Sequence, residues 1–336
     1  FALNFLIVID SIHTHINDKR SSSAEKRDDF VKIDDGRQKN MFKANIFTVP
    51  EEAKFIGAIV YVGPCCDYKD VANSNKLKIY CTATIVSSNF ILTEANCLLN
   101  HVIKQLNHFV VIFDLDPLTK WREYIKNREY PLMWRNFTSY KIHEKHNLEN
   151  PYRYNLGLLQ LDSSLDLNGP TVELTPLPYI SHFRPYCKEY SEVDVTDTYD
   201  TKCLFYGYGD NRFDNETNRS GRLKRTFLPI YHSYRCKGYD MEYDAKSLVC
   251  SSLERSVPKA EKNYQGFVEG DFGGPILCAR INVRDFNDFS NRVLVGIASK
   301  STMFQHPTKE DLFVMLNYFS SAKFFRDWIE DNSHPI

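Results

Sequence analysis

Across 336 residues, 42 Lys and Arg stand against 43 Asp and Glu, for a formal net charge of −1. That balance gives no electrostatic pull toward nucleic acid or an anionic membrane surface, and neither is expected as a partner. The length suits one large domain or two modest ones; a 43% hydrophobic fraction with 20 Tyr and 23 Phe supplies a core, and nine cysteines point to disulfides in an oxidising compartment.

The chain opens on an apolar run, Phe1 to Ile9, too short to span a bilayer and followed by polar residues. Residues 1–15 read as the apolar part of a secretory signal peptide lacking its start, with a buried strand as the alternative. Residues 16–44, rich in Ser, Lys, Arg and Asp, read as a polar pro-segment or linker; the Lys26-Arg27 pair within it is of a kind common in exposed linkers. From residue 45 to 332 the pattern becomes short β-type runs divided by turns. Ile56–Val62, Thr82–Val86, Phe109–Phe113, Gly157–Leu161 and Val293–Ala298 are rich in β-branched and aromatic residues, predicting an all-β barrel or sandwich. Phe324, Phe325, Trp328 and Ile329 recur at helical spacing, predicting a C-terminal helix over 322–330. No internal repeat is evident.

Several motifs then fall in one order. Cys81 to Cys97, sixteen residues apart, closes on Leu92-Thr-Glu-Ala-Asn-Cys97; Tyr154-Asn-Leu-Gly-Leu-Leu-Gln-Leu161, Cys203-Leu-Phe-Tyr-Gly-Tyr-Gly209, Gly270-Asp-Phe-Gly-Gly-Pro275 and Gly296-Ile-Ala-Ser-Lys300 follow. Together they resemble the trypsin/chymotrypsin family, whose matching motifs are Leu-Thr-Ala-Ala-His-Cys, Asn-Asp-Ile-Ala-Leu-Leu-Lys-Leu, Cys with Gly-Trp-Gly, Gly-Asp-Ser-Gly-Gly-Pro and Gly-Ile-Val-Ser-Trp. The resemblance implies two six-stranded antiparallel β-barrels flanking a cleft, a C-terminal helix, and the disulfides Cys81–Cys97, Cys203–Cys278 and Cys236–Cys250.

Placed on that family, the chemistry is missing. Acyl transfer there needs a serine nucleophile, a histidine base and an aspartate that orients it, and this same family is the standard worked case of such a triad. Phe272 replaces the nucleophile, Asn96 the base and Asn155 the aspartate. A phenyl ring has no lone pair to attack a carbonyl, and an amide nitrogen takes no proton near neutral pH. Gly270 and Phe272 occupy the oxyanion-hole positions, and Asp271 that of the carboxylate which pairs with the N-terminus made by zymogen cleavage. No Arg-Ile-Val-Gly-Gly start is present, and Lys43–Pro50 has no basic residue directly before Ile46. Gly266 falls where trypsin-type enzymes carry their pocket aspartate, Ser299, Lys300 and Ser301 at the pocket edge, and Val268 where a pocket cysteine belongs.

His101, His108, His143 and His146 read as surface or loop histidines, and none sits in a metal motif, so neither metal nor cofactor is expected. Cys65, Cys66 and Cys187 remain over; the vicinal pair can join Cys187, each other or another chain. Asn136, Asn215 and Asn218 begin Asn-x-Ser/Thr sequons, read as glycan sites on loops. The resemblance therefore implies a secreted, catalytically inactive homologue acting by protein–protein binding. Such homologues are familiar from arthropods as cofactors or decoys in extracellular protease cascades, with proteases, their substrates or inhibitors as partners. An active secreted endopeptidase with a non-standard site, or a structural or carrier glycoprotein, are the alternatives.

Overall fold

Strands dominate the computed structural model, which describes residues 46–47, 54–64, 77–99, 105–127, 132–169, 171–177, 203–209, 221–230, 233–240, 243–256, 267, 270–279, 292–306, 308–309 and 312–334. All of these belong to the unit Met41–Ile336. The signal and linker readings, Cys65, Cys66, Cys187, Asn215, Asn218, His101, Gly266 and Val268 lie outside the described residues.

After the two-residue β1 (Ile46–Phe47), six strands close a barrel. They are β2 (Ile56–Tyr61), β3 (Lys78–Ile85), β4 (Phe90–Thr93), β5 (Phe109–Ile112), β6 (Trp134–Ile142) and β7 (Gly157–Leu161), in the order β2-β3-β4-β7-β6-β5. Alternation explains why β2 and β5 read as continuous apolar runs. Ala58, Val60, Val110 and Ile112 face one buried cluster, while Ile59, Phe109 and Val111 face another. A strand buried on both faces has no polar side to show in its sequence.

The second half is a seven-stranded antiparallel sheet. β8 (Cys203–Gly207), β9 (Lys224–Leu228), β10 (Leu248–Ser256), β11 (Pro275–Ala279), β12 (Arg292–Gln305) and β13 (Leu312–Ser321) join β1 in the order β1-β9-β8-β11-β12-β13-β10. It stands where the resemblance implies the second barrel. All five β-type runs read from the sequence are strands, and β12 runs on to Gln305. The C-terminal helix is present as Arg326–Asn332, starting four residues later than the expected 322. The Ala322 N–H still donates to the Val295 carbonyl at 2.9 Å, tying the start of that stretch to the sheet.

Among the described residues, two further α-helices fall outside the sequence expectations: α1 (Pro117–Lys126) and α2 (Ser233–Tyr239), which makes the C-terminal helix α3. Asp116 caps α1 by accepting from the Thr119 N–H, and Pro117 at the first position has no N–H to leave unpaired. Leu118, Trp121 and Ile125 share the buried face, and Trp121 has no exposed surface. Its cluster joins barrel residues Val60 and Ile112 to Tyr206, Tyr208 and Leu277 of the second half, so α1 helps weld the two together.

The three implied disulfides are formed: Cys81–Cys97, Cys203–Cys278 and Cys236–Cys250. Cys203 and Cys278 are direct cross-strand neighbours on β8 and β11, closing a loop of 75 residues. Chain entropy for such a loop gives a stabilisation of about 4 kcal/mol. Cys203→Ser with Cys278→Ser is expected to lose about that much in urea unfolding; a loss below about 1 kcal/mol would show that the strand pairing alone holds this region.

Candidate functional site

The segment Gly270–Pro275 turns between the barrel and the sheet, and its backbone is pinned from both sides. Thr82 on β3 donates its N–H to the Phe272 carbonyl (2.9 Å) and its hydroxyl to the Gly270 carbonyl (2.6 Å). From the sheet, the Gly273 N–H donates to Ala298 (3.0 Å) and the Ala298 N–H to Gly274 (2.8 Å). Gly273 has φ +81°, and a Cβ there would collide with Thr93 Oγ1 and the Thr82 carbonyl, so only glycine fits.

On this backbone the Phe272 ring is half-buried and packs against both halves of the molecule. It touches the barrel cluster containing Ile59, Leu98 and Val111, and the sheet cluster containing Phe205, Phe267 and Phe319. Its nearest ring partner is Phe267, edge-to-face at 6.1 Å between centroids. Phe267 is itself packed on Phe205 (4.8 Å) and Phe319 (5.1 Å).

The structure brings Asn96 and Asn155 together. Asn155 is fully buried; its Oδ1 accepts from the Asn96 N–H (3.1 Å), and its Nδ2 donates to Ser299 Oγ (2.8 Å) and Glu94 Oε2 (2.7 Å). The Asn96 side chain points elsewhere, donating Nδ2 to the Pro151 carbonyl at 3.2 Å. Glu94 is 4% exposed, and burial pushes its pKa up to about 8 even though the Asn155 amide lowers it. A neutral carboxylic acid thus sits in this network at physiological pH. Glu94 was not among the residues singled out from the sequence, although the signal was there: Leu92-Thr-Glu-Ala has a glutamate where the family motif has its first alanine.

The remaining site positions make contacts of their own. The Gly270 N–H donates to the Tyr80 carbonyl (3.2 Å), so in this form Gly270 and Phe272 do not offer two free backbone donors to one acceptor. Asp271 accepts from the Gly209 N–H at 2.7 Å, giving its carboxylate an internal partner. Ser301 on β12 donates to Oδ1 of Asn317, its direct neighbour on β13 (2.7 Å). Asn317 is fully buried, and neither its Nδ2 nor the hydroxyl of Ser251, its neighbour on β10, has a hydrogen-bond partner. This buried polar row beside the pocket edge has no sequence signature, because strand register alone aligns it. Lys300 lies over the Tyr152 ring, with Nζ 4.0 Å from its centroid.

Cys81, Glu94 and Cys97 place three atoms of metal-ligand type close together. The two sulfurs are bonded to each other, which removes the thiolates a metal would need. Asn136 lies within β6, opposite Val110, rather than on a loop as its sequon suggests. Its Nδ2 donates to Asp162 Oδ2 at 2.7 Å, a contact that a glycan on that nitrogen would have to displace. His108, His143 and His146 are brought into no catalytic grouping with Asn96, Asn155 or Phe272; His143 instead stacks on Trp328 at 5.0 Å.

Comparison with known proteins agrees with this architecture. The Trypsin family model matches residues 68–323. Hypodermin-A of Hypoderma lineatum is 25% identical over 244 residues, covering 72% of this chain and 75% of that protein. Coagulation factor XII of Cavia porcellus is 23% identical over 59% of this chain, and bovine (Bos taurus) tissue-type plasminogen activator 23% over 77%. These two are longer proteins, of which the match spans 29% and 40%. With a closed barrel, a second antiparallel sheet, a C-terminal helix and a family match over most of its length, this chain belongs to the trypsin family.

Proposed function

We propose that this protein is a secreted, non-catalytic member of the trypsin family that acts by binding other extracellular proteins. The observation that carries the reading is Phe272, an aromatic ring wedged between the barrel and sheet clusters where family members present their nucleophile. The amides at 96 and 155 supply neither base nor orienting charge, and the Gly270 N–H is engaged with Tyr80. Loss of the serine or histidine of a triad costs on the order of 10⁶ in turnover, so one replacement is sufficient.

Secretion fits the three disulfides and the apolar start of the chain. Among the described residues no helix is long and apolar enough to cross a membrane. The partners proposed are proteases, their substrates or inhibitors in an extracellular cascade, with this chain as cofactor or decoy. Two of the similar proteins are named as a coagulation factor and a plasminogen activator, which is the kind of setting meant. Residues 1–15 serve as signal, 16–44 as linker, and Cys65, Cys66 or Cys187 as the means of a covalent link to another chain.

Purified full-length protein is expected to take up no active-site fluorophosphonate and to hydrolyse no peptide ester above buffer. Stoichiometric labelling would sink this reading in favour of an endopeptidase with a non-standard site.

A further inference from the structure

Two of the replaced positions have acquired a new partner, and it is the same one. The segment 147–154, just before Asn155, belongs to the connection between β6 and β7 of the barrel and makes contacts to the sheet side. Asn96 Nδ2 donates to its Pro151 carbonyl (3.2 Å), and Lys300 of β12 lies 4.0 Å over its Tyr152 ring. Arg153 faces Asp244, between α2 and β10. Burial opposes ionisation of Asp244, but the Ser247 hydroxyl, the Lys246 N–H and the Arg153 charge together hold its pKa below the usual range. The segment is also fixed on itself: Asn147 Oδ1 accepts from the N–H groups of Glu149 (2.6 Å) and Asn150 (3.0 Å), and the Arg153 carbonyl meets His146 Nδ1 at 3.4 Å. The segment ends at Tyr154, whose φ of 52° is left-handed, a conformation a non-glycine residue keeps only where its surroundings hold it. Those surroundings are the rings of His143 (5.0 Å) and Phe325 (5.7 Å).

We propose that residues 147–154 form an intramolecular strap that closes the cleft between barrel and sheet, with Asn96 and Lys300 as its anchors. Asn96 follows β4 of the barrel and Lys300 stands on β12 of the sheet, and the strap engages both. A histidine at 96 or an apolar side chain at 300 would not supply the same amide donor or ammonium. The altered residues have thus taken on a structural task as well as shedding a chemical one. An incoming protein segment can enter the cleft only when the strap lifts, which makes the strap the gate of any cleft-dependent partner. This goes beyond the non-catalytic reading and does not depend on it.

Amide hydrogen exchange on the full-length protein, read by mass spectrometry on peptides covering 147–156, tests the strap without measuring hydrolysis. Each anchor is a hydrogen bond or cation–π contact whose loss corresponds to about tenfold in an opening equilibrium. Asn96→Ala and Lys300→Ala are each expected to speed exchange of the strap amides about tenfold, with the barrel strands unchanged. Tyr152→Leu, which leaves both cleft walls intact, is expected to do the same, while Tyr152→Phe keeps the ring and exchanges as wild type. Should either wall variant misfold, the Tyr152 pair decides alone. Strap amides already unprotected in the wild type, or unaltered by Tyr152→Leu, would overturn the proposal and leave the question of catalysis untouched.

Discussion

Glu94→Gln is expected to leave stability at pH 4 nearly unchanged and to raise it by on the order of 5 kcal/mol at pH 9. The glutamate has no charged partner among the described contacts: its Oε2 accepts from the Asn155 amide, and its Oε1 lies 3.6 Å from Cys97 Sγ. Cys97 is in a disulfide and has no S–H to donate. Burial therefore favours the neutral acid, and the pKa rises from 4.5 to about 8. The sign follows from proton binding. Between those two pKa values the folded protein holds a proton that the unfolded chain has released, so stability falls as pH rises through this window and levels off above it. Each pH unit in the window costs about 1.4 kcal/mol, and the whole shift roughly 5. Glutamine keeps an acceptor for Asn155 without the titration. The difference between variant and wild type should grow from near zero to about 10 °C in Tm across the window, using about 2 °C per kcal/mol for a domain of this size. Thermal unfolding at half-unit pH steps reads this directly; parallel curves would show that Glu94 reaches water or a hidden partner.

The second large effect follows from the proposed lack of activity. Rebuilding the triad residues with Asn96→His, Asn155→Asp and Phe272→Ser is expected to give no fluorophosphonate labelling and no measurable esterase activity. The three side chains are one part of the proposed loss, and their surroundings are the other. Asn155→Asp would place a carboxylate where Glu94 now accepts a 2.7 Å hydrogen bond, so two acids would share a buried site and one would stay protonated. A histidine at 96 would lack the Asn96 amide contact to Pro151, leaving its ring to compete with the strap for space. The Gly270 N–H remains with Tyr80, and one missing oxyanion donor costs about 10²–10³ in turnover. Removing the Phe272 ring also loosens the join between two clusters, lowering stability by roughly 1–3 kcal/mol for a half-buried aromatic. Adding Glu94→Ala should remove the paired acid and still leave the donor and strap in place. Hydrolysis by the three-residue variant at rates of active family members would show that the surroundings are intact and that the substitutions alone silence the site.

Much of the fold was legible because the features that specify it are local or fixed in spacing. The strand runs carry their own β-branched residues, and the cysteine pairs follow from the family resemblance, Cys203 and Cys278 meeting across β8 and β11. Helix α1 has a local signal too, in Asp116-Pro117 followed by Leu118, Trp121 and Ile125. The candidate site divides in the same manner. That position 272 has no nucleophile, and that 96 and 155 are amides, follows from side-chain chemistry whatever the fold.

The sequence by itself therefore determined the family framework and the side-chain chemistry at 96, 155 and 272, two amides and a phenyl ring. Only the tertiary structure decided what those residues do instead. Asn96 meets Asn155 across 59 positions of chain, and Thr82 meets Gly270 across 188. Glu94 becomes a neutral acid, and Asn96 and Lys300 hold a strap, because folding removes water and sets partners that are remote in sequence. Burial and hydrogen-bond geometry are properties of the assembled neighbours, and no single residue carries them in its letter.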